Sequence, residues 1–500
     1  MSNKVNGSAA APVGADVDVI VVGGGNAAFS AAIAAAERGR TVMVLERAGK
    51  HEAGGNSFYT AGATRVAHDG LEDLLPIIEA DERHGVTEVP SYSKDDYVSD
   101  LEKVTDGGND PELTKVLAEE ALDTVRWLNR HGVKFRLMYE RQSYQHEDGS
   151  FLFWGGLHIG NVEGGQGLIR DETKAAKALG VDIRYGHHCV SLIMAAGRAV
   201  GVNAYDANGT HIALHAESIV LAAGGFESNA EMRREYLGEG WQNAKVRGTP
   251  LNTGEMIVAA LAAGADKAGD WTTCHSVAWD AMAENNESNR ELTNRLTRQS
   301  YPLGIVVNRE GRRFLDEGAD FRNYTYAKYG REILAQPGSI AYQIFDAELR
   351  PMLRTEEYDM PGIGMVTAQT LEELARRLDV DAAALVKTID AFNGAIDRSK
   401  SFDPTVKDGR YSAVKPRKSN WAMPIETGPF YAYPVTCGIT FTFGGIRSDT
   451  HGRVQDRSGH AIPGLFVAGE MLGGLFSKNY PGGTGLAAGM VFGRRAGTLA

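Results

Sequence analysis

The sequence predicts an α/β fold built on a parallel sheet, with an α+β domain inserted into it. Two observations lead there. An apolar run, a glycine cluster, an alanine-rich stretch and a second apolar run follow one another within the first fifty residues. Further glycine clusters recur as far as residue 485, and between them residues 272–436 carry most of the prolines and long helical patterns.

Asp18-Val-Ile-Val-Val22 is a short run rich in β-branched side chains, the signature of a strand buried on both faces. Gly23-Gly-Gly-Asn-Ala-Ala28 follows, then a helix to about Arg38, then a second strand, Thr41-Val-Met-Val-Leu45, closed by Glu46. Strand, glycines, helix, strand and acid in that order form the Rossmann-like dinucleotide fingerprint. In that reading Gly23 makes the tight turn, Gly25 admits a pyrophosphate, and Ala28 seats the helix on the strand. The helix N-terminus is the anion site, and Glu46 takes the ribose hydroxyls.

The second cluster is Gly54-Gly-Asn-Ser57, followed by Ala61-Gly62-Ala63. The third is Val220-Leu-Ala-Ala-Gly224-Gly225, a buried strand running into glycines. The fourth is Ile462 to Glu470, and the fifth is Tyr480-Pro-Gly-Gly-Thr-Gly485, which opens a helix from Leu486 to Arg495. Clusters spread from residue 23 to residue 485 imply a long ligand touched by both chain ends. Between the third and fourth clusters, Leu371–Asn393 shows apolar spacings of three and four on two short helices. Residues 1–16 are small and polar and read as a disordered leader. Residues 17–271 and 437–500 are then two parts of the dinucleotide-binding domain, and 272–436 a capping and substrate domain. Asn285–Arg298 reads as a solvated surface segment.

Composition narrows the function. Fifty-two Lys and Arg against 64 Asp and Glu leave a formal charge of −12, which excludes nucleic-acid binding by phosphate neutralisation. The three cysteines are odd in number and lack CxxC or CxxH spacing, so neither a disulfide framework nor a metal site is expected. That usage fits a reducing compartment, and with no apolar run of membrane-spanning length the expected location is the cytoplasm.

These clusters in this order resemble the flavoprotein family of fumarate reductase, succinate dehydrogenase, L-aspartate oxidase and 3-ketosteroid dehydrogenase, from about Asp18 to the C-terminus. The resemblance implies FAD on a glutathione-reductase-type domain with an inserted cap. It places Gly23, Gly25, Asn26, Ala27, Ala28, Glu46, Arg47, Gly54, Gly55, Asn56, Ser57 and Gly62 against the cofactor. From later clusters it adds Val190, Ala223, Gly224, Gly225, Gly469, Glu470, Gly485 and Leu486. The succinate dehydrogenase branch links flavin through a histidine at the turn matching Asn56-Ser57, so noncovalent FAD is expected here. Several segments are similar to the tricarballylate dehydrogenase branch: Val21–Ala28, Gly54–Ser57, Gly269 to His275, Lys418–Trp421, Tyr433–Gly445 and Asn479–Gly485. That likeness implies oxidation of a small anionic acid, tricarballylate to cis-aconitate, and a membrane iron–sulfur or haem partner that reoxidises the flavin. A location peripheral to the membrane would follow.

Such chemistry moves a hydride to the flavin and a proton to or from the adjacent carbon, while carboxylates are clamped. The run Asn308-Arg-Glu-Gly-Arg-Arg-Phe-Leu-Asp-Glu317 resembles the one that precedes the family's proton-transferring arginine, which would be Arg322, with Glu317 and Asp320 as its carboxylate relay. His275 matches a substrate-binding histidine. Thr440 and Phe441 stand where fumarate reductases have a histidine, and Tyr480 stands where they have a clamping arginine. That tyrosine resembles the ketone-polarising tyrosine of 3-ketosteroid dehydrogenases. Arg65, Arg141 and Lys478 are further candidate partners for substrate carboxylates. The alternative functions are a desaturase or ene-reductase of a ketone, and a fumarate-reductase-like enzyme on another unsaturated acid.

Overall fold

The computed structural model describes residues 15–283 and 289–500. Most of the expected leader lies outside them. Asp16, counted as leader, is instead tied to the sheet: its N–H donates to the His215 carbonyl (2.9 Å) and its carboxylate accepts from the His215 N–H (2.8 Å).

In chain order, β1 (Val17–Val22) turns through three glycines into α1 (Asn26–Glu37) and on to β2 (Val42–Glu46). α2 (Gly164–Ala178) leads to β3 (Asp182–Tyr185). β4 (His188–Ala195), β5 (Arg198–Tyr205) and β6 (His211–Leu221) form an antiparallel meander. β7 (Cys274–Asp280), β8 (Ile305–Asn308), β9 (Ala341–Phe345) and the long β10 (Phe430–Thr442) occupy the middle of the chain. β11 (Ala461–Val467) and α3 (Thr484–Leu499) close it.

The first sheet is parallel in the order β3–β2–β1–β6–β11, with β5 and β4 continuing from β6. Its register positions the site. Val22 is level with both Leu45 and Leu221, and Leu221 with Val467. The carboxyl ends of four strands therefore form one row, and Gly23–Gly25, Glu46, Ala222–Gly225 and Ala468–Glu470 emerge along it. Ligands of parallel α/β sheets bind at this edge. α3 lies directly on α1 through Gly489, Gly493 and Gly497. A Cβ on Gly497 would sit 2.0 Å from the Ala31 carbonyl oxygen, so alanines on one helix and glycines on the other bring the chain ends together.

β10 organises the second sheet. Its first half pairs antiparallel with β9 and with Val366–Ala368, and its second half pairs with β7 and with Lys245–Val246. The boundary expected between residues 436 and 437 thus falls inside one continuous strand. The two helices expected over Leu371–Asn393 are Leu371–Leu378 and Ala382–Gly394. Thr370 and Asp381 cap them, and Asp379, left-handed at φ 55°, ends the first. Leu374, Leu385, Ile389 and Phe392 from these helices are buried in the core of the inserted region.

The described part of Asn285–Arg298 is not solvated throughout. Arg298 is wholly buried and ion-paired with Asp280, and Asn294 and Thr297 are buried beside it. Among the described residues no helix is long and apolar enough to cross a membrane.

Candidate active site

One continuous cleft runs along the row of strand ends and on beneath the second sheet. At its first end the backbone turns at Gly23 (φ 114°), and a Cβ on Gly24 would come within 2.4 Å of Glu46 Oε2. The α1 N-terminus has no side-chain cap at Gly25, so N–H groups of its first turn are left for a ligand. The Asn26 N–H is the one tied down, donating to Ser57 Oγ (3.1 Å). Glu46 is buried, accepts from the Ala48 N–H (2.6 Å) and has its pKa raised by that burial. Asn56 braces the middle of the cleft: its amide donates to Glu227 (2.6 Å) and to the Thr440 carbonyl (2.8 Å), and its oxygen accepts from the Thr249 N–H (2.9 Å). Glu470 accepts from the Thr442 N–H (2.7 Å). A helix N-terminus for a pyrophosphate, a buried carboxylate for ribose hydroxyls and a long cleft fit FAD.

The far end of the cleft is cationic. Arg141, Arg247 and Arg322 line it, with Gln299, Tyr326 and Tyr480. Arg322 donates to Gln299 Oε1 (2.7 Å), to the Arg141 carbonyl (3.0 Å) and to Gln142 Oε1 (3.3 Å). Its enclosure, then its neighbours Arg354 and Arg141, lower its pKa to about 9 against the pull of Glu357. Arg247 is only 9% exposed, and one of its nitrogens donates to Thr440 Oγ1 (3.0 Å). Arg141 and Arg354 share Glu357, at 3.1 and 3.3 Å. Burial alone would raise the Glu357 pKa, but Arg354, Arg141 and Arg322 bring it below the usual carboxylate value. Among the described residues neither Arg247 nor Arg322 has a carboxylate within ion-pair distance. Breaking a buried ion pair leaves a charge whose cost is about 3–5 kcal/mol. Two such guanidiniums face the cleft without that compensation. The Tyr326 and Tyr480 hydroxyls hydrogen-bond to each other (2.6 Å), and burial raises both pKa values.

A family model for the FAD binding domain matches residues 18–486. The chain is an FAD-dependent oxidoreductase of the fumarate reductase family. It is 28% identical over 499 residues to a probable fumarate reductase, Ifc3, of Shewanella frigidimarina, covering 99% of this flavoprotein and 76% of that one. It is 25% identical to a 3-oxosteroid 1-dehydrogenase of Mycolicibacterium smegmatis, covering 96% of each. Two further curated relatives are matched over only about half their length. Among solved structures, the open conformation of a flavocytochrome c3 fumarate reductase superposes with a TM-score of 0.71 at 27% identity, over 96% of this chain and 77% of that one.

Most of the cofactor residues named from the sequence line the flavoprotein's cleft: Gly23, Gly25, Asn26, Ala27, Glu46, Arg47, Gly55, Asn56, Ser57, Ala223, Gly224, Gly469, Glu470, Gly485 and Leu486. Ala28, Gly54, Gly62 and Gly225 stand behind that surface against protein neighbours. Val190 also stands off it, and His187, His188 and Cys189 are the residues of that stretch that line the cleft. Arg322, Tyr480, Thr440 and Phe441 line the cleft.

Others need correction. His275 does not reach the cleft. It is wholly buried, stacked on its cross-strand partner Phe441 (ring centroids 5.2 Å apart), with Tyr326 and Tyr480 at its edges. Phe441 lines the cleft in its place, and burial holds the His275 pKa well below the usual value. Arg65 is wholly buried and supports the 480–485 turn, donating to the Gly482 carbonyl (3.0 Å) and pairing with Asp100 (3.2 Å). Lys478 is paired with Asp106 (2.6 Å) at the surface. Glu317 pairs with Arg313, and Asp320 with Lys103, so neither is a relay for Arg322. Arg247, Gln299, Tyr326 and Arg354 were missed. Tyr326 carried a signal, since it lies one helical turn after Arg322 and its N–H donates to the Arg322 carbonyl (3.0 Å). The other three are distant in sequence and stand in no motif.

Proposed function

We propose that this flavoprotein is a dehydrogenase of a polycarboxylate, taking tricarballylate to cis-aconitate. The observation that carries the reading is the pair of cleft guanidiniums, Arg247 and Arg322, that the protein leaves without carboxylate partners. Charge-assisted hydrogen bonds contribute roughly 1.5–3 kcal/mol each, so two or three account for micromolar to millimolar binding.

The α1 N-terminus, Gly23 to Ala27 and Glu46 would hold the FAD phosphates and ribose, and Asn56, Ser57 and Glu470 would line its other side. With Asn56 and Ser57 at the turn, the cofactor is held noncovalently. Bound FAD supplies a hydride acceptor. Arg322 takes the proton from the neighbouring carbon, and its lowered pKa makes a neutral guanidine accessible. Gln299 and the Arg141 carbonyl fix the Arg322 head group so that it keeps one orientation while the proton moves. Loss of one hydride and one proton from adjacent carbons leaves the alkene. Phe441 and Tyr480 close the wall and exclude water. Reoxidation of the flavin falls to a membrane iron–sulfur or haem partner met from the cytoplasmic side.

The hydrogen-bonded Tyr326–Tyr480 pair favours a second reading, in which those hydroxyls polarise a ketone as the steroid enzymes do. A neutral ketone would leave Arg247 and Arg322 uncompensated, which is why the acid is preferred. Incubation with an artificial electron acceptor separates the two. Conversion of tricarballylate to cis-aconitate, seen by NMR, supports the first reading. Desaturation of a 3-ketosteroid with no acid consumed would replace it by the second.

A further inference from the structure

We infer that Arg247 selects substrates carrying a second carboxylate, which it holds at a subsite formed with Thr440. The inference rests on the polycarboxylate reading and assigns it a residue. Arg247 follows the short strand Lys245–Val246, which pairs parallel with β10 in the register Lys245↔Gly438 and Val246↔Ile439. Its own N–H extends that ladder to the Ile439 carbonyl (2.7 Å), so the side chain leaves a fixed piece of backbone. Among the described residues its guanidinium finds one acceptor, Thr440 Oγ1, and its Nε is buried with no partner. Arg141, on the same cleft, is by contrast already neutralised by Glu356 and Glu357.

Arg247 and Arg322 share no hydrogen-bond partner and belong to different parts of the chain. Arg322 leans on Gln299, Gln142 and the Arg141 carbonyl, while Arg247 leans on β10. A monocarboxylate that satisfies Arg322 leaves Arg247 desolvated and unpaired. An acid with carboxylates on two carbons satisfies both. Discrimination then comes from the penalty on the wrong ligand as much as from contacts with the right one.

The test uses holoenzyme with wild-type Arg247, Arg247→Gln and Arg247→Lys. Binding of succinate and of succinamate, the latter having one carboxylate replaced by a neutral amide of similar shape, is read by titrating flavin absorbance, and tricarballylate, which bleaches the flavin, is compared through its KM. Wild-type protein is expected to bind succinate roughly 10- to 100-fold more tightly than succinamate. Arg247→Gln should bind the two nearly equally and tricarballylate correspondingly more weakly, Arg247→Lys should fall between, and FAD content should not change. Retained discrimination in Arg247→Gln, equal weakening of all three ligands, or loss of FAD would overturn the assignment. A wild-type protein that binds none of the three would overturn the polycarboxylate reading itself, which is a different result.

Discussion

In the proposed reaction Arg322 is the residue on which the chemistry turns. Replacing it with lysine or alanine should slow flavin reduction by substrate at least about a hundredfold, the low end for a general acid–base group. FAD should stay bound, because the residue lies outside every glycine cluster, and single-turnover flavin reduction is the measurement that separates the step from binding. A variant reduced at the wild-type rate would move suspicion to Tyr480. Glu46→Ala should weaken FAD retention, read by fluorescence of released flavin; unchanged affinity would mean another group holds the ribose. The places of Arg322 and Glu46 on the cleft were legible in the sequence because each lies close after a local pattern. The partners of Arg322 were not. Gln299 lies 23 residues away and Arg141 lies 181 away, and only the fold brings them together. Glu317 and Asp320 misled because nearness in sequence was taken for nearness of side chains. His275 misled because a position beside the cleft wall does not say which cross-strand neighbour faces the opening.

Strand ends and the turns that follow them carry a second consequence, through the buried pair Glu227 and Glu470. Glu227 is wholly buried, accepting from Asn56 and Asn252 (2.6 Å each), and it lies against Glu470 after β11. Burial, then the neighbouring Glu227, pushes the Glu470 pKa well above its usual 4.5, and burial raises that of Glu227 as well. A carboxyl whose folded pKa is raised contributes stability that is complete below about the usual value and is lost as pH rises toward the raised one. The thermal midpoint should therefore fall with rising pH from about 5 upward, and Glu227→Gln should flatten that dependence. Melting curves from pH 5 to 8.5 check this, and an unchanged slope in the variant would show that the pair carries no proton into the neutral range. At this scale the apolar runs marked β1, α1, β2 and the outer bounds of the helix pair Leu371–Leu378 and Ala382–Gly394 nearly to the residue. β10 was harder to read, because a proline at 434 and a change of pairing partners midway break the pattern of one strand into two.

Among the described residues the molecule is a cleft with β1, α1 and α3 on its cofactor side and the second sheet on the side of the proposed substrate. The spread of glycine clusters disclosed the first half, since a long ligand needs close backbone approach at many points. The cationic end was legible only in Arg322 and Arg141, because Arg247 and Arg354, which complete its electrostatics, stand in no motif. Acid precipitation should release FAD from the chain, since neither Asn56 nor Ser57 can link it; flavin left on the denatured protein would refute that. The region 272–436 contributes Gln299, Arg322 and Tyr326 to the same cleft as the glycines; as the proposed cap it would admit substrate and then exclude water. The central claim, that a flavin oxidises a polycarboxylate while Arg322 takes the proton, is tested most directly by the anaerobic rate of flavin bleaching by tricarballylate as a function of pH. The neutral form of Arg322 grows as pH rises, so bleaching at low substrate should accelerate toward a plateau governed by a group near pH 9, and a 3-ketosteroid should leave the flavin oxidised. Bleaching by the steroid, with none by tricarballylate at any pH, would contradict it.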